Sequence, residues 1–124
     1  MELRPEHNVE PSSSRVAWWL WRLEDMKWIG HCGVRRAEGS VYTAGVSIWR
    51  SRGRYTGGYG AEAYRLMCGF AVNDLGATRI LAVDTNLDRK SSLEEAGFKL
   101  ASAFPPQHAK RRRGYGIRRY EWTP

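Results

Sequence analysis

The sequence predicts an α/β (α+β) domain with one mixed, mostly antiparallel sheet, a long helix and a short helix. Three observations predict it. First, Val16–Leu23, Trp28–Arg35 and Val41–Trp49 are β-prone runs separated by turn residues, which reads as a meander of three strands. Second, from Tyr59 onward the apolar residues Ala63, Leu66, Met67, Phe70 and Ala71 recur at the one-face spacing of an amphipathic helix. Third, Ile80-Leu81-Ala82-Val83 is a short apolar strand followed by a brief helical stretch and two further strand-like segments.

Residues 1–14 are polar, with Pro5, Pro11 and three serines, and read as a lead or tail. Residues 15–124 then form a single domain, since 124 residues suffice for one core and not for two. In Val16–Leu23, alternation places Trp18 and Leu20 on one face and Trp19 and Trp21 on the other, so both faces are apolar. Glu24-Asp25-Met26-Lys27 and Ala37-Glu38-Gly39-Ser40 turn the chain on either side of the second strand. A helix is predicted over about 58–75, and Gly76-Ala77-Thr78 leads from it into the strand Arg79–Val83. The short helix falls within Leu87–Ala96 and stops at Gly97-Phe98, a glycine C-cap followed by an apolar residue. Lys99–Trp122 reads as two strands joined by Pro105-Pro106 and a basic run, with the last strand at Tyr115–Glu121.

Lysine and arginine number 20 against 13 acids, a net charge of +7. The excess clusters at Arg50/Arg52/Arg54 and at Lys110-Arg111-Arg112-Arg113, followed by Arg118-Arg119. A basic balance bears on partners and not on fold. No apolar run reaches the length of a membrane span, and the first residues lack the apolar core of a secretory signal, so a cytoplasmic location is expected. Cys32 and Cys68 fall in apolar surroundings and read as core-filling thiols. His7, His31 and His108 have no ligand spacing, and no metal is expected.

The segment that carries chemistry is Arg54-Tyr55-Thr56-Gly57-Gly58-Tyr59-Gly60-Ala61-Glu62-Ala63. A strand, a glycine turn and a helix N-terminus together make an anion cradle. Glycine lets the backbone approach closely, and the first helical N–H groups point outward. Arg50, Arg52 and Arg54 add positive charge. The same residues also suit a plain strand-to-helix turn with solvated arginines.

Taken with the second strand–helix segment, this loop resembles the GNAT superfamily of N-acetyltransferases, which use acetyl-coenzyme A. Tyr55-Thr56-Gly57-Gly58-Tyr59-Gly60 matches the acyl-CoA signature, and Glu62-Ala63 continue it. Asn86 and Glu94-Glu95-Ala96-Gly97-Phe98 match the family's later segment. The likeness runs from about Val16 to the end of the chain. It is closest to the branch that acetylates protein N-termini, including ribosomal proteins, and related small amines.

The resemblance implies an acetyl-CoA-dependent transfer of an acetyl group to an amine of a protein, peptide or small molecule. It also implies strands that splay around the pantetheine arm, with backbone near Ile48 and Trp49 pairing to it. Cofactor contacts are then expected from Ile48, Trp49, Arg50, Tyr55, Thr56, Gly57, Gly58, Tyr59, Gly60, Ala61, Asn86 and Arg89. Asp84 is the candidate base, with a cap for the following turn as its structural alternative. Asn86 would serve equally as an N-cap, and Arg89 as a surface residue. Ser91 or Ser92 is the candidate acid, Ser92 being preferred, and His31 reads as a packed histidine more than a base.

The chain departs from the family pattern in three places. Tyr55 stands at an Arg or Gln position, Leu93 where many members have a proton-donating tyrosine, and Gly45 where this branch has a glutamate. These departures favour the alternative function, a catalytically weak or inactive CoA-binding or nucleic-acid-binding module on the same fold. The strand and helices that usually open the family are expected to be lacking. Val16–Leu23 would then be a sheet edge bearing tryptophans, and a homodimer burying Trp18, Trp19 or Trp21 is expected. The second basic cluster suits contact with an acidic protein or RNA, or a solvated loop.

Overall fold

The computed structural model describes residues 2–5, 15–23, 26–48, 59–86, 92–104 and 115–124. Four strands come first in the chain: β1 (Glu2–Pro5), β2 (Arg15–Arg22), β3 (Lys27–Glu38) and β4 (Val41–Ile48). Helix α1 (Tyr59–Leu75) follows, then β5 (Arg79–Asn86), the single turn α2 (Ser92–Glu95), β6 (Lys99–Phe104) and β7 (Tyr115–Trp122). The seven strands among the described residues form one sheet in the order β1-β2-β3-β4-β5-β7-β6. The pairing is antiparallel except between β4 and β5, the two strands that α1 connects.

The meander, both helices and the two closing strands agree with the sequence reading. The front of the chain corrects it. Glu2–Pro5 is a strand whose Leu3 faces Leu20 in register, so β1 and not β2 holds the edge of the sheet. Leu3 packs against the core, and the Arg4 guanidinium lies 4.4 Å from the Trp21 ring centroid. Pro5 suits an edge, where a missing N–H costs no ladder bond. Trp18 is also part of the core, 4% exposed and edge-on to Phe70 at 5.0 Å. The edge argument for a homodimer therefore loses its premise.

One face of the sheet carries the core. Val16, Trp18 and Leu20 of β2, Ile29, Cys32 and Val34 of β3, Ile80 and Ala82 of β5 and Tyr120 of β7 are buried there. Helix α1 packs on this face through Ala61, Ala63, Tyr64, Met67, Cys68 and Ala71. Its alanines let the helix backbone come close to the strands. Leu66, expected on that face, is exposed, and Tyr64 and Cys68 lie there instead.

The β2–β3 register shifts at Leu20/Trp21, where Ile29 is the extra residue. This bulge sends Ile29 into the core and Trp28 to the opposite face. Helix α2 ends at Gly97, whose φ of 98° is a left-handed cap. The Phe98 N–H donates to the Leu93 carbonyl at 2.9 Å, and the glycine stop is the one expected.

Candidate functional site

The site begins where β4 and β5 part. They pair in parallel over only three residue pairs, Val41↔Arg79, Tyr42↔Ile80 and Thr43↔Leu81. Beyond these, among the described residues, β4 continues to Ile48 with only β3 beside it, and β5 continues to Asn86 with only β7 beside it. A gap opens between Ala44–Ile48 and Ala82–Asn86, and among the described residues β4 backbone borders it without a ladder partner on that side.

Helix α1 starts at the mouth of this gap. Gly60, in its first turn, approaches the neighbouring elements so closely that an added Cβ would lie 3.1 Å from both Cβ and Oγ of Ser92 and 3.8 Å from Ile48 Cδ1. Gly60, Ser92 and Ile48, three of the expected site residues, therefore meet at one point. The closeness of Gly60 is to Ser92, a contact the glycine spacing alone did not reveal. The Arg65 Nη2 donates to the Glu95 carbonyl at 2.6 Å and ties α2 to α1 beside this junction.

Tyr59 and Ala61 flank Gly60, the first half-buried and the second buried. Asp84 lies inside β5, opposite Arg118 of β7, and Asn86 is opposite Tyr115. Asp84 was expected at the end of the strand facing the gap, beside Asn86, with a cap of the following turn as the alternative. Asp84 is a strand residue on the helix-facing side of the gap, and Asn86 is the last residue of β5, with residues 87–91 outside the described ones. Trp49, Arg50, Tyr55, Thr56, Gly57, Gly58 and Arg89 lie outside the described residues, as does the basic run at 110–113. Leu93 is 1% exposed and belongs to the core.

Sequence reasoning missed Tyr64. Its ring packs edge-on against Phe98 at 5.6 Å, and its hydroxyl faces the Val46 main chain on the gap side of β4. Burial pushes its pKa up to about 12. The Val46 N–H opposes that shift, and the negative charge of Asp84 adds to it. Tyr64 is therefore a neutral phenol within the electrostatic reach of Asp84. A tyrosine one residue after Ala63, on the apolar face of a helix, was the available signal.

Burial also pushes the Cys32 and Cys68 thiols up to about 12. These three buried groups make the fold sensitive to alkali. Their folded pKa values lie above the ordinary 9.0 for cysteine and 10.0 for tyrosine. Below pH ~8 all three are protonated in both folded and unfolded chains, and their contribution is constant. Above it, the unfolded chain releases protons that the folded chain keeps, so stability falls until pH reaches about 12. Urea midpoints are expected to be flat from pH ~7 to ~8 and then to fall, as the unfolding free energy drops by roughly 1 kcal/mol or more per pH unit from pH ~9. A midpoint still level at pH ~11 contradicts this.

The opposite face of the sheet is different in kind. There Trp19 stacks on Trp28 at 5.0 Å, Trp21 meets Trp28 edge-on at 5.3 Å, and His31 meets Trp19 edge-on at 6.2 Å. Beside them lies a trough of about 530 Å³ that runs along β3 and β4. Among the described residues, no group of His, Cys, Asp and Glu has an arrangement that could hold a metal ion. No described helix is long and apolar enough to cross a membrane.

No family model matches the chain, and no curated protein matches it. Solved structures do match. A GNAT-family acetyltransferase from Bacillus anthracis superposes with a TM-score of 0.68 at 15% identity, over 86% of this chain and 65% of its own. A spermidine N-acetyltransferase from Vibrio cholerae, in complex with CoA and spermine, gives 0.71 at 11% identity over 89% and 66%. A ribosomal-protein-S5-alanine acetyltransferase from Vibrio fischeri gives 0.69 at 14% identity over 89% and 62%. The chain thus spans about two thirds of the length of these proteins. At these identities the likeness is one of fold, and that fold is the GNAT fold.

Proposed function

We propose that the chain is an acetyl-CoA-dependent N-acetyltransferase acting on an amine of a protein, peptide or small molecule. The observation that carries this reading is the parting of β4 and β5 after three residue pairs, next to the first turn of α1. An extended ligand arm rich in amides finds backbone donors and acceptors along Ala44–Ile48. A phosphate-bearing end finds the helix N-terminus and its glycines. Ile48, Trp49, Arg50, Tyr55–Ala61, Asn86 and Arg89 are assigned to this binding role.

Transfer joins the amine nitrogen to the thioester carbonyl carbon and breaks the carbon–sulfur bond. The amine must arrive neutral, the carbonyl oxygen gains negative charge, and the leaving thiolate takes up a proton. Backbone N–H groups at Ile48 and Trp49 are the proposed donors to that oxygen, joined by the Tyr64 hydroxyl. Asp84 is the proposed acceptor of the amine's proton, and Ser92, beside Gly60, the proposed donor to the thiolate.

The second reading, a CoA-binding module with weak or absent catalysis, draws on the burial of Leu93 in the core and on the absence of a side chain at Gly45. A thiol-release assay with acetyl-CoA over a panel of peptides and small amines separates the two. Amine-dependent release is expected, reduced by up to roughly 10²–10⁴-fold in Asp84→Asn. Acetyl-CoA binding without release for any amine supports the module. Identical pH–rate profiles in mutant and parent remove Asp84 from the chemistry.

A further inference from the structure

Ser92 opens α2, a helix of four residues. A single turn has too few internal hydrogen bonds to hold itself in place. Its position, and with it that of the Ser92 hydroxyl, comes from contacts made outside the turn. Leu93 is buried and plugs α2 into the core. The Tyr120 hydroxyl donates to Glu94 Oε1 at 3.2 Å and ties α2 to β7. Arg65 Nη2 donates to the Glu95 carbonyl at 2.6 Å and ties α2 to α1.

These ties differ in what they fix. Leu93 and Tyr120 fasten α2 to the sheet side of the core. Arg65 fastens it to the same helix whose Gly60 meets Ser92. Gly60 and Arg65 lie roughly 7.5 Å apart along the axis of α1, and Ser92 and Glu95 roughly 4.5 Å apart along that of α2. The two ends of α2 therefore both meet α1. At the Ser92 end the approach is close, since a Cβ added to Gly60 would lie 3.1 Å from Ser92 Cβ and Oγ. At the Glu95 end the link is a hydrogen bond from a charged donor. The last carbonyls of a helix lack partners within it. The Ala96, Gly97 and Phe98 N–H groups go to Ser92, Leu93 and Glu94, and the Glu95 carbonyl takes Arg65.

We propose that Arg65 is a positioning residue, which sets the place of Ser92 against Gly60 and so holds the Ser92 hydroxyl where the leaving thiolate takes up its proton. The inference rests on the acetyltransferase reading for the role of Ser92, and on the two contacts between the helices for the role of Arg65. Arg65 follows Tyr64 directly in α1. Successive residues of one helix thus carry the phenol proposed for the oxyanion and the guanidinium that places the acid. Without Arg65, α2 is free to pivot about the Leu93 plug and carry Ser92 away from the gap. A misplacement of about 1 Å costs up to roughly 10²-fold in rate.

Two measurements on the full chain test this. The first is thiol release from acetyl-CoA, with the best amine of the panel, in Arg65→Met, Arg65→Lys, Ser92→Ala and the double variant. Arg65 is exposed, so Arg65→Met removes the donor without touching the core. It is expected to lower kcat about tenfold and to change KM for acetyl-CoA by less than about twofold. Arg65→Lys keeps an N–H donor and should recover most of the loss. In Ser92→Ala, adding Arg65→Met is expected to change kcat by less than about twofold, because the group it places is already gone. The second is hydrogen exchange at the Ala96 and Phe98 amides, which donate to α2 carbonyls. Exchange there is expected to quicken about tenfold in Arg65→Met, the equivalent of one lost hydrogen bond, with α1 unchanged.

Equal losses from Arg65→Met with and without the Ser92 hydroxyl would make Arg65 a structural residue and overturn the proposal. A parent-like kcat in Arg65→Met, or unchanged exchange at Ala96 and Phe98, overturns it as well and leaves the acetyltransferase reading standing. Faster exchange in a chain that releases no thiol with any amine removes the acetyltransferase reading and leaves Arg65 as the residue that places Ser92.

Discussion

Tyr64→Phe is expected to lower the rate of acetyl transfer by about 10²–10³-fold, the usual loss when one donor to a developing oxyanion is removed. The ring stays and only the hydroxyl goes, so packing against Phe98 is retained. The hydroxyl meets the Val46 main chain of β4 and lies within the field of Asp84. A phenol held up to about 12 by burial keeps its proton near neutral pH, which suits the proposed role of donor and not that of base.

The same change costs some stability, on the order of 1–3 kcal/mol, if the Val46 N–H is left facing a hydrocarbon edge. Rates must therefore be compared per folded molecule, with urea denaturation run alongside. A folded Tyr64→Phe variant with the parent's rate would leave the backbone donors alone in that role.

Gly30→Ala should be the most damaging single methyl group at any described glycine. A Cβ at Gly30 would collide with the Ser47 carbonyl oxygen and come within 2.9 Å of Ile48 Cα, and both of these are backbone. No rotamer change relieves that clash, so β3 and β4 must separate where Gly30 pairs with Ile48. Gly30 also adjoins the bulge at Ile29. Overpacking of this kind costs on the order of 3 kcal/mol, which lowers Tm by roughly 10 °C in a domain of this size. Because Ile48 borders the gap, acetyl-CoA affinity should fall with it. Differential scanning calorimetry checks the first effect, and a Tm within a degree or two of the parent would contradict the geometry at this crossing.

These two residues show where the sequence was legible and where it was not. The strands of the meander are β-prone runs set between turn residues, and the glycine stop at Gly97 follows directly from local chemistry. Local signals therefore located the strands and the helix, whereas the gap between β4 and β5 was expected only from the family resemblance. The four-residue strand β1 has Leu3 alone to pack against the core, too little for a periodic signal. Its partner β2 lies ten residues further along, and no local pattern joins the two. Asp84 and Asn86 follow the strand read at Arg79–Val83, yet pairing with β7 extends the strand through both.

Tyr64 and Arg65 have a common reason for escaping notice. The significance of Tyr64 depends on Val46 and Asp84, and that of Arg65 on Glu95 and Ser92, residues brought together only by the packing of α1 against the strands and α2. Gly30 likewise looks like any glycine of a β-prone run until Ser47 is placed opposite its neighbour.

The central claim is that the gap between β4 and β5 takes acetyl-CoA, and a calorimetric titration of the folded chain with acetyl-CoA tests it most directly. The account predicts saturable one-to-one binding with Kd in the range of about 1 μM to 1 mM, where such substrates are ordinarily held. A folded sample that gives no binding heat at millimolar acetyl-CoA, at two temperatures so that a null enthalpy is not mistaken for absence of binding, would contradict it.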